Sequence, residues 1–279
     1  MPMYLIELAR YTGFAQLFFI ITSFIIVYGI HHTLRRYSKD YLVSLLIFIS
    51  VPHFYLSSFG IVRQYCAIAI LFYGIKYIVQ RNFYYYLAIV ALAMMFHYSA
   101  IIGIVFYFLY RIELNRFITS SLIIASFFTT PVLYYIIEHL PKYSDYILPV
   151  LNRGTGAKMQ LFLLLSAVIF MFFYNSFKST ESKFYYNVFI VGVCTYNAFL
   201  FIGDFATRIS YYFIIYLILL IPELKYKFEK KQFYLATVLF SILLYATSFY
   251  LSYKEPTKNA LVPYQIFLSK SVDDIKLVK

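Results

Sequence analysis

Tryptophan is absent from this chain, and charge is scarce: 13% of the 279 residues are charged, 12 acidic against 24 basic. A soluble domain carries roughly a quarter charged residues. A chain with 62% hydrophobic and 23% aromatic residues therefore belongs to the membrane class. The two cysteines, Cys66 and Cys194, lie inside apolar runs and read as small buried hydrophobes, which excludes a disulfide framework. Without tryptophan, the 32 tyrosines must supply any aromatic belt. No segment is both soluble and basic enough to bind nucleic acid. The net charge of +12 is instead loop charge that orients the chain among membrane lipids.

Missing motifs narrow the chemistry. There is no D-x-D pair for a metal-dependent sugar-nucleotide transferase, no G-x-S-x-G elbow, no Walker loop, no H-E-x-x-H and no C-x-x-C. Carboxylates are missing from the centres of the apolar runs, which counts against an ion-coupled transporter. What remains is a mechanism resting on arginine and histidine, with no metal ligands and no cofactor expected.

What is present is a succession of apolar runs: Phe14 to Ile30, Tyr41 to Phe59, Ile61 to Val79, Tyr84 to Tyr110, Phe117 to Ile137, Gln160 to Tyr174, Phe184 to Ile202, Arg208 to Leu220 and Phe233 to Tyr250. They are apolar all round and lack strand alternation, so they predict helices and exclude an outer-membrane barrel. The first run lacks a small-x-small cleavage site and is followed by His31, His32, Arg35 and Arg36, so it reads as a retained span. Tyr84 to Tyr110 is either one long tilted helix or two short legs turning at His97-Tyr98-Ser99.

Charge parity decides for the turn. With it, Arg111, Arg116, Lys178, Lys183, Lys225, Lys227, Lys230 and Lys231 join the early set Arg35, Arg36, Lys39, Lys76 and Arg81 on one side. Lys142, Arg153, Lys158 and Arg208 fall on the other, and the positive-inside rule favours that partition. The expected fold is an all-α polytopic membrane bundle of about ten segments. It is one transmembrane domain over 1–279 with no soluble domain, its longest internal outer loop at 138–159 and a tail at 251–279. Function should concentrate on the outer side, because the inner loops are short.

Arg63 and Arg208 each begin an apolar run on the side depleted of basic residues. Either snorkels to the headgroups, Arg208 also being able to pair with Asp204 one turn earlier, or both bind phosphate through their planar guanidinium groups. His97 is the histidine inside a long apolar run: a packing histidine at a helix turn, or a general base or orienter. Arg153 with Gly154 and Gly156 makes a solvated turn or a small anion site. His31-His32 reads as loop surface, since no third ligand is near.

Arg63-Gln64-Tyr65-Cys66-Ala67-Ile68-Ala69-Ile70, followed by Phe96-His97-Tyr98-Ser99-Ala100, resembles the EpsG family of bacterial polysaccharide polymerases. Arg208-Ile209-Ser210-Tyr211-Tyr212-Phe213, with Pro222 beyond it, resembles that family's second Arg-led helix, and Val262-Pro263-Tyr264 its C-terminal Pro-Tyr element. The similarity covers about Phe14 to Phe267. Members of the family usually carry further N-terminal spans and an acidic outer loop, where this chain starts with Met1-Pro2-Met3-Tyr4.

The resemblance implies a multi-pass protein of the bacterial inner membrane that joins undecaprenyl-pyrophosphate-linked oligosaccharides. Arg63 and Arg208 would hold the pyrophosphate, and His97 would orient or deprotonate the acceptor hydroxyl. Gln64, Arg153, Asp204 and Tyr264 would contact substrate. A chain-length regulator and a flippase are its implied partners. Three alternatives remain open at this stage. A lipid-linked oligosaccharide flippase would need a basic midplane cavity and inverted repeats, an O-antigen ligase a larger outer loop, and a membrane acyltransferase a His-Asp pair, for which only Asp40 lies near His31-His32.

Overall fold

The computed structural model describes residues 11–14, 16–139 and 156–254, together with Tyr4 and Glu7. Among them the regular structure is helical, with no strand. The α-helices are α1 (Gln16–Tyr37), α2 (Tyr41–Ser50), α3 (Tyr55–Gly60), α4 (Val62–Tyr73), α5 (Ile75–Val79) and α6 (Phe83–Phe96). After a 3-10 stretch at Tyr98–Gly103 come α7 (Ile104–Leu109), α8 (Arg116–Glu138), α9 (Ala157–Phe172), α10 (Thr180–Ala198), α11 (Asp204–Ile214), α12 (Leu217–Leu220) and α13 (Lys230–Lys254). A 3-10 stretch, Ile221–Lys227, leads from α12 towards α13.

Ten helical stretches follow one another along the described chain: α1, α2, α4 with α5, α6, the stretch ending in α7, α8, α9, α10, α11 with α12, and α13. Among the described residues, five helical stretches are long and apolar enough to cross a membrane: Gln16–Tyr37, Val62–Val79, Arg116–Ile136, Phe205–Lys227 and Lys230–Tyr250. The protein is a polytopic helical membrane protein.

Sequence punctuation explains most boundaries. Pro52 pushes Val51 into extended backbone (φ −78, ψ 114), so the run from Tyr41 to Phe59 is two helices with His53 in the turn between them. The run from Tyr84 to Tyr110 breaks at His97, which is extended (φ −152, ψ 116), as charge parity required. Arg208 lies one turn inside its helix instead of beginning it, because α11 already starts at Asp204. The predicted first segment stopped at Ile30. The helix instead continues to Tyr37, so His31 and His32 lie on α1 and not in a loop. Arg35 and Arg36 favour that last turn through the helix dipole. The loop placed at 138–159 narrows, since α8 runs to Glu138 and α9 starts at Ala157; 140–155 and the tail beyond Lys254 lie outside the described residues.

Burial separates centre from rim. In the most apolar eighteen residues of each, 72% of Phe205–Lys227 and 67% of Val62–Val79 are buried, against 11% of Arg116–Ile136 and 17% of Lys230–Tyr250. The two Arg-led helices are therefore central, while α8 and α13 turn rows of Phe, Leu and Ile outward, as lipid-facing helices do. Gly29 lets α1 approach α4 closely: a Cβ there would sit 2.8 Å from the Ala69 carbonyl oxygen.

α10 is buried along twelve of its residues and holds its neighbours through polar ties. Asn187 donates to the Leu109 and Ile112 carbonyls at 3.0 and 2.6 Å, Tyr186 to Thr119 at 2.9 Å and Asn197 to Ser126 at 3.1 Å. Thr130 donates to the Asn197 carbonyl at 3.1 Å, and Gln160 to its side-chain oxygen at 3.1 Å.

Candidate functional site

α4 and α11 both begin at the same end of the bundle, and neither start has a side-chain cap. Ile61 precedes α4, with Arg63 as its second residue. Gly203 precedes α11 at φ +55, a left-handed angle that a residue with a Cβ rarely adopts. At the opposite end four helix starts are closed by side chains. Asp40 caps α2, Asn82 caps α6, Asn115 accepts from the Ile118 N–H in the first turn of α8, and Ser179 caps α10. Uncapped first-turn N–H groups and the positive ends of two helix dipoles thus meet around Arg63 and Arg208.

Gln64 binds the two starts together: it is buried, and its Nε2 donates to the Arg208 carbonyl at 2.5 Å. One residue on, Tyr65 donates to the backbone carbonyl of His53, and its ring lies 5.9 Å from that of Tyr211. His53 Nδ1 in turn lies 3.0 Å from the Tyr211 hydroxyl, with Ser57 at 3.5 Å from the same oxygen. α2, α3, α4 and α11 are locked together at this end.

His97 closes the cluster. It caps the C-terminus of α6, half-buried, with Nδ1 2.6 Å from Ser99 Oγ, which is itself 2.9 Å from the hydroxyl of buried Tyr212. Burial lowers the His97 pKa below its ordinary 6.5, and the charges of Arg63 and then Arg208 lower it further. Arg63 and Arg208 are exposed, and among the described side chains neither has a hydrogen-bond or ion-pair partner. Two guanidinium groups without a described carboxylate partner, two open helix starts and an imidazole stand together here, a grouping of the kind that binds phosphate oxygens in proteins.

Arg63, Gln64, His97 and Arg208, far apart in sequence, are brought together here. Gln64 serves as a tie between the helices, its amide nitrogen engaged by backbone. Arg153 and Tyr264 lie outside the described residues, as does the side chain of Asp204. Sequence reasoning missed His53, Ser99, Tyr211 and Tyr212 as members of the site. A signal for two of them was present: Tyr211 and Tyr212 follow Arg208 at i+3 and i+4, the spacing that stacks residues on one helix face.

The other end of the bundle holds the ion pairs seen among the described residues. Asp40 takes Lys225 at 3.2 Å and the Tyr234 hydroxyl, and Glu113 takes Lys183 at 2.5 Å. His31 instead bonds the Tyr41 hydroxyl at 2.9 Å, and His32 stacks on Tyr28, so Asp40 is not the histidines' partner and the acyltransferase pairing fails.

No curated protein and no solved structure matches the chain. The EpsG family model does, over residues 4–266, a range containing both Arg-led helices and the His97 turn. The chain belongs to the EpsG family and is a membrane protein of polysaccharide biosynthesis.

Proposed function

We propose that this protein is a metal-independent membrane glycosyltransferase that polymerises repeat units of a bacterial O-antigen, capsule or exopolysaccharide on the outer face of the inner membrane. The donor is a growing glycan on undecaprenyl pyrophosphate, and the acceptor is a single lipid-linked repeat unit. The acceptor hydroxyl oxygen attacks the anomeric carbon and forms the new C–O bond. The old C–O bond breaks with its electron pair moving to the pyrophosphate, and the hydroxyl proton ends on the released pyrophosphate. Negative charge therefore grows on the leaving group as the bond breaks.

One observation carries this reading: the starts of α4 and α11, which hold Arg63 and Arg208, are tied together by Gln64 and joined through Ser99 and Tyr212 to the His97 turn, with no described carboxylate paired to either arginine. Preoriented donors aimed at developing charge are among the largest contributions an enzyme makes. Gln64 supports the reading by fixing the spacing of the two arginines. A chain-length regulator and a flippase are the partners such an enzyme would work beside, with Arg153, Asp204 and Tyr264 assigned to the glycan.

The test is the banding of surface polysaccharide. A deletion strain should carry single repeat units only; polymer retained on the carrier lipid would point to a ligase, and precursors left unflipped to a flippase. Arg63→Ala and Arg208→Ala, at normal expression, should each lower polymerisation by about 100-fold or more. Polymer of normal length and amount in either strain would reject the pyrophosphate assignment.

A further inference from the structure

The chain of contacts behind His97 has a direction, and that direction decides what the imidazole can do. Tyr212 is buried, and its hydroxyl has Ser99 Oγ as its partner at 2.9 Å. Ser99 has one proton to give and two neighbours, Tyr212 and His97 Nδ1 at 2.6 Å. Suppose Tyr212 donates to Ser99 and Ser99 donates to Nδ1. Then each hydroxyl proton has an acceptor, and Nδ1 receives one hydrogen bond. Any arrangement with a proton on Nδ1 leaves either the Tyr212 or the Ser99 proton without an acceptor among the described residues, and the remaining arrangement, Ser99 donating to Tyr212, leaves both the Tyr212 proton and Nδ1 unpaired. A donor left unmade in a buried place is costly, and buried polar groups are paired as a rule.

We infer that the Tyr212–Ser99 pair fixes His97 as the neutral tautomer carrying its proton on Nε2, so that the ring offers an N–H donor to a phosphate oxygen and does not take the acceptor's proton. This rests on the pyrophosphate reading for the identity of the oxygen; the tautomer itself rests on the contacts alone. Nε2 has no partner among the described residues and lies on the ring that both arginines influence. A neutral N–H donor beside two guanidinium groups fits an anion better than a base would. A base at that position would have to gain a positive charge next to two others. Ser99 and Tyr212 are then positioning residues, acting through His97.

Nitrogen-15 NMR of protein with labelled histidine, in nanodiscs, tests the tautomer directly, the His97 signals being identified by their loss in His97→Gln. The expected result is a protonated Nε2 and an unprotonated Nδ1 in the native protein, with the two tautomers mixed in Tyr212→Phe and in Ser99→Ala. Tyr212→Phe keeps the packed ring and Ser99→Thr should restore the native pattern, so misfolding is separable from loss of the relay. A proton on Nδ1 in the native protein, or an Nε2 tautomer that neither variant disturbs, overturns the proposal.

Activity supplies the second arm. Gln places an amide N–H near the position of Nε2, so His97→Gln should keep polymerisation within about tenfold of native while His97→Ala loses about 100-fold. Equal loss in both would overturn the donor role and favour a base. These outcomes are distinct from failure of the pyrophosphate reading, which would show as active Arg63→Ala and Arg208→Ala proteins whatever the tautomer.

Discussion

A guanidinium differs from an ammonium in having a planar fork, and the site asks for that difference twice. Arg63→Lys and Arg208→Lys keep the charge but cannot bridge two oxygens of one phosphate. Each should lower polymerisation about tenfold or more at unchanged protein level, read as polymer yield per unit of protein. At the far end Asp40 shows the opposite design, a carboxylate fully engaged. Burial alone would raise its pKa, but hydrogen bonds from Tyr234, the Val43 N–H and Lys225, with the lysine's charge, outweigh it, and the pKa lies below its ordinary 3.8. The folded value lies under the unfolded one, so this contribution is present above 3.8 and fades as pH falls through the folded value. Thermal unfolding in detergent should therefore lose more on acidification in the native protein than in Asp40→Asn. Arg63, Arg208 and His97 were legible in the sequence because charge within an apolar run is conspicuous. Ser99 and Tyr212 were not, since a hydroxyl among 32 tyrosines has no contrast until its partner is placed.

Among the elements, close approach sets what can be changed. α1 and α4 meet at Gly29 against the Ala69 carbonyl, and α10 meets α11 at Gly192, where a Cβ would come within 2.6 Å of the Phe213 Cβ. Gly29→Ala and Gly192→Ala should each destabilise the protein by about 1–3 kcal/mol, seen as earlier thermal aggregation in detergent. Backbone cannot move aside at Gly29, so a larger residue there should abolish accumulation altogether. The element pattern itself was readable at the start of α2, just after Asp40, and at the His97 turn, while the Pro52 break inside the run from Tyr41 to Phe59 was missed. It failed where a helix ran through polar residues. α1 continues past His31 to Tyr37, and α10 starts at Thr180 rather than Phe184, because charged side chains at helix ends reach water without breaking the backbone ladder.

Over the whole molecule, the basic residues are sorted by end. Arg81, Arg116, Lys183 and Lys225 make their contacts at the end opposite the site, and Arg63 and Arg208 stand at the site's end. By the positive-inside rule the ion-paired end should face the cytoplasm. A single cysteine at exposed Lys158, near the start of α9, should react with a membrane-impermeant maleimide on intact cells. One at exposed Lys178, near the start of α10, should react only after permeabilisation. Labelling in the reverse pattern would invert the topology and move the site to the inner face.

The ties made by α10 also bear on how the chain is assembled. This helix has the length to cross a membrane, at 19 residues, yet it falls short in hydropathy of the five that would enter lipid readily. Its polar partners Leu109, Ile112, Thr119, Ser126, Thr130 and Gln160 all precede it in the sequence. A ribosome therefore delivers the reluctant span after its partners, towards residues already in place to receive its amides, and the order of synthesis does for insertion what hydrophobicity alone would not.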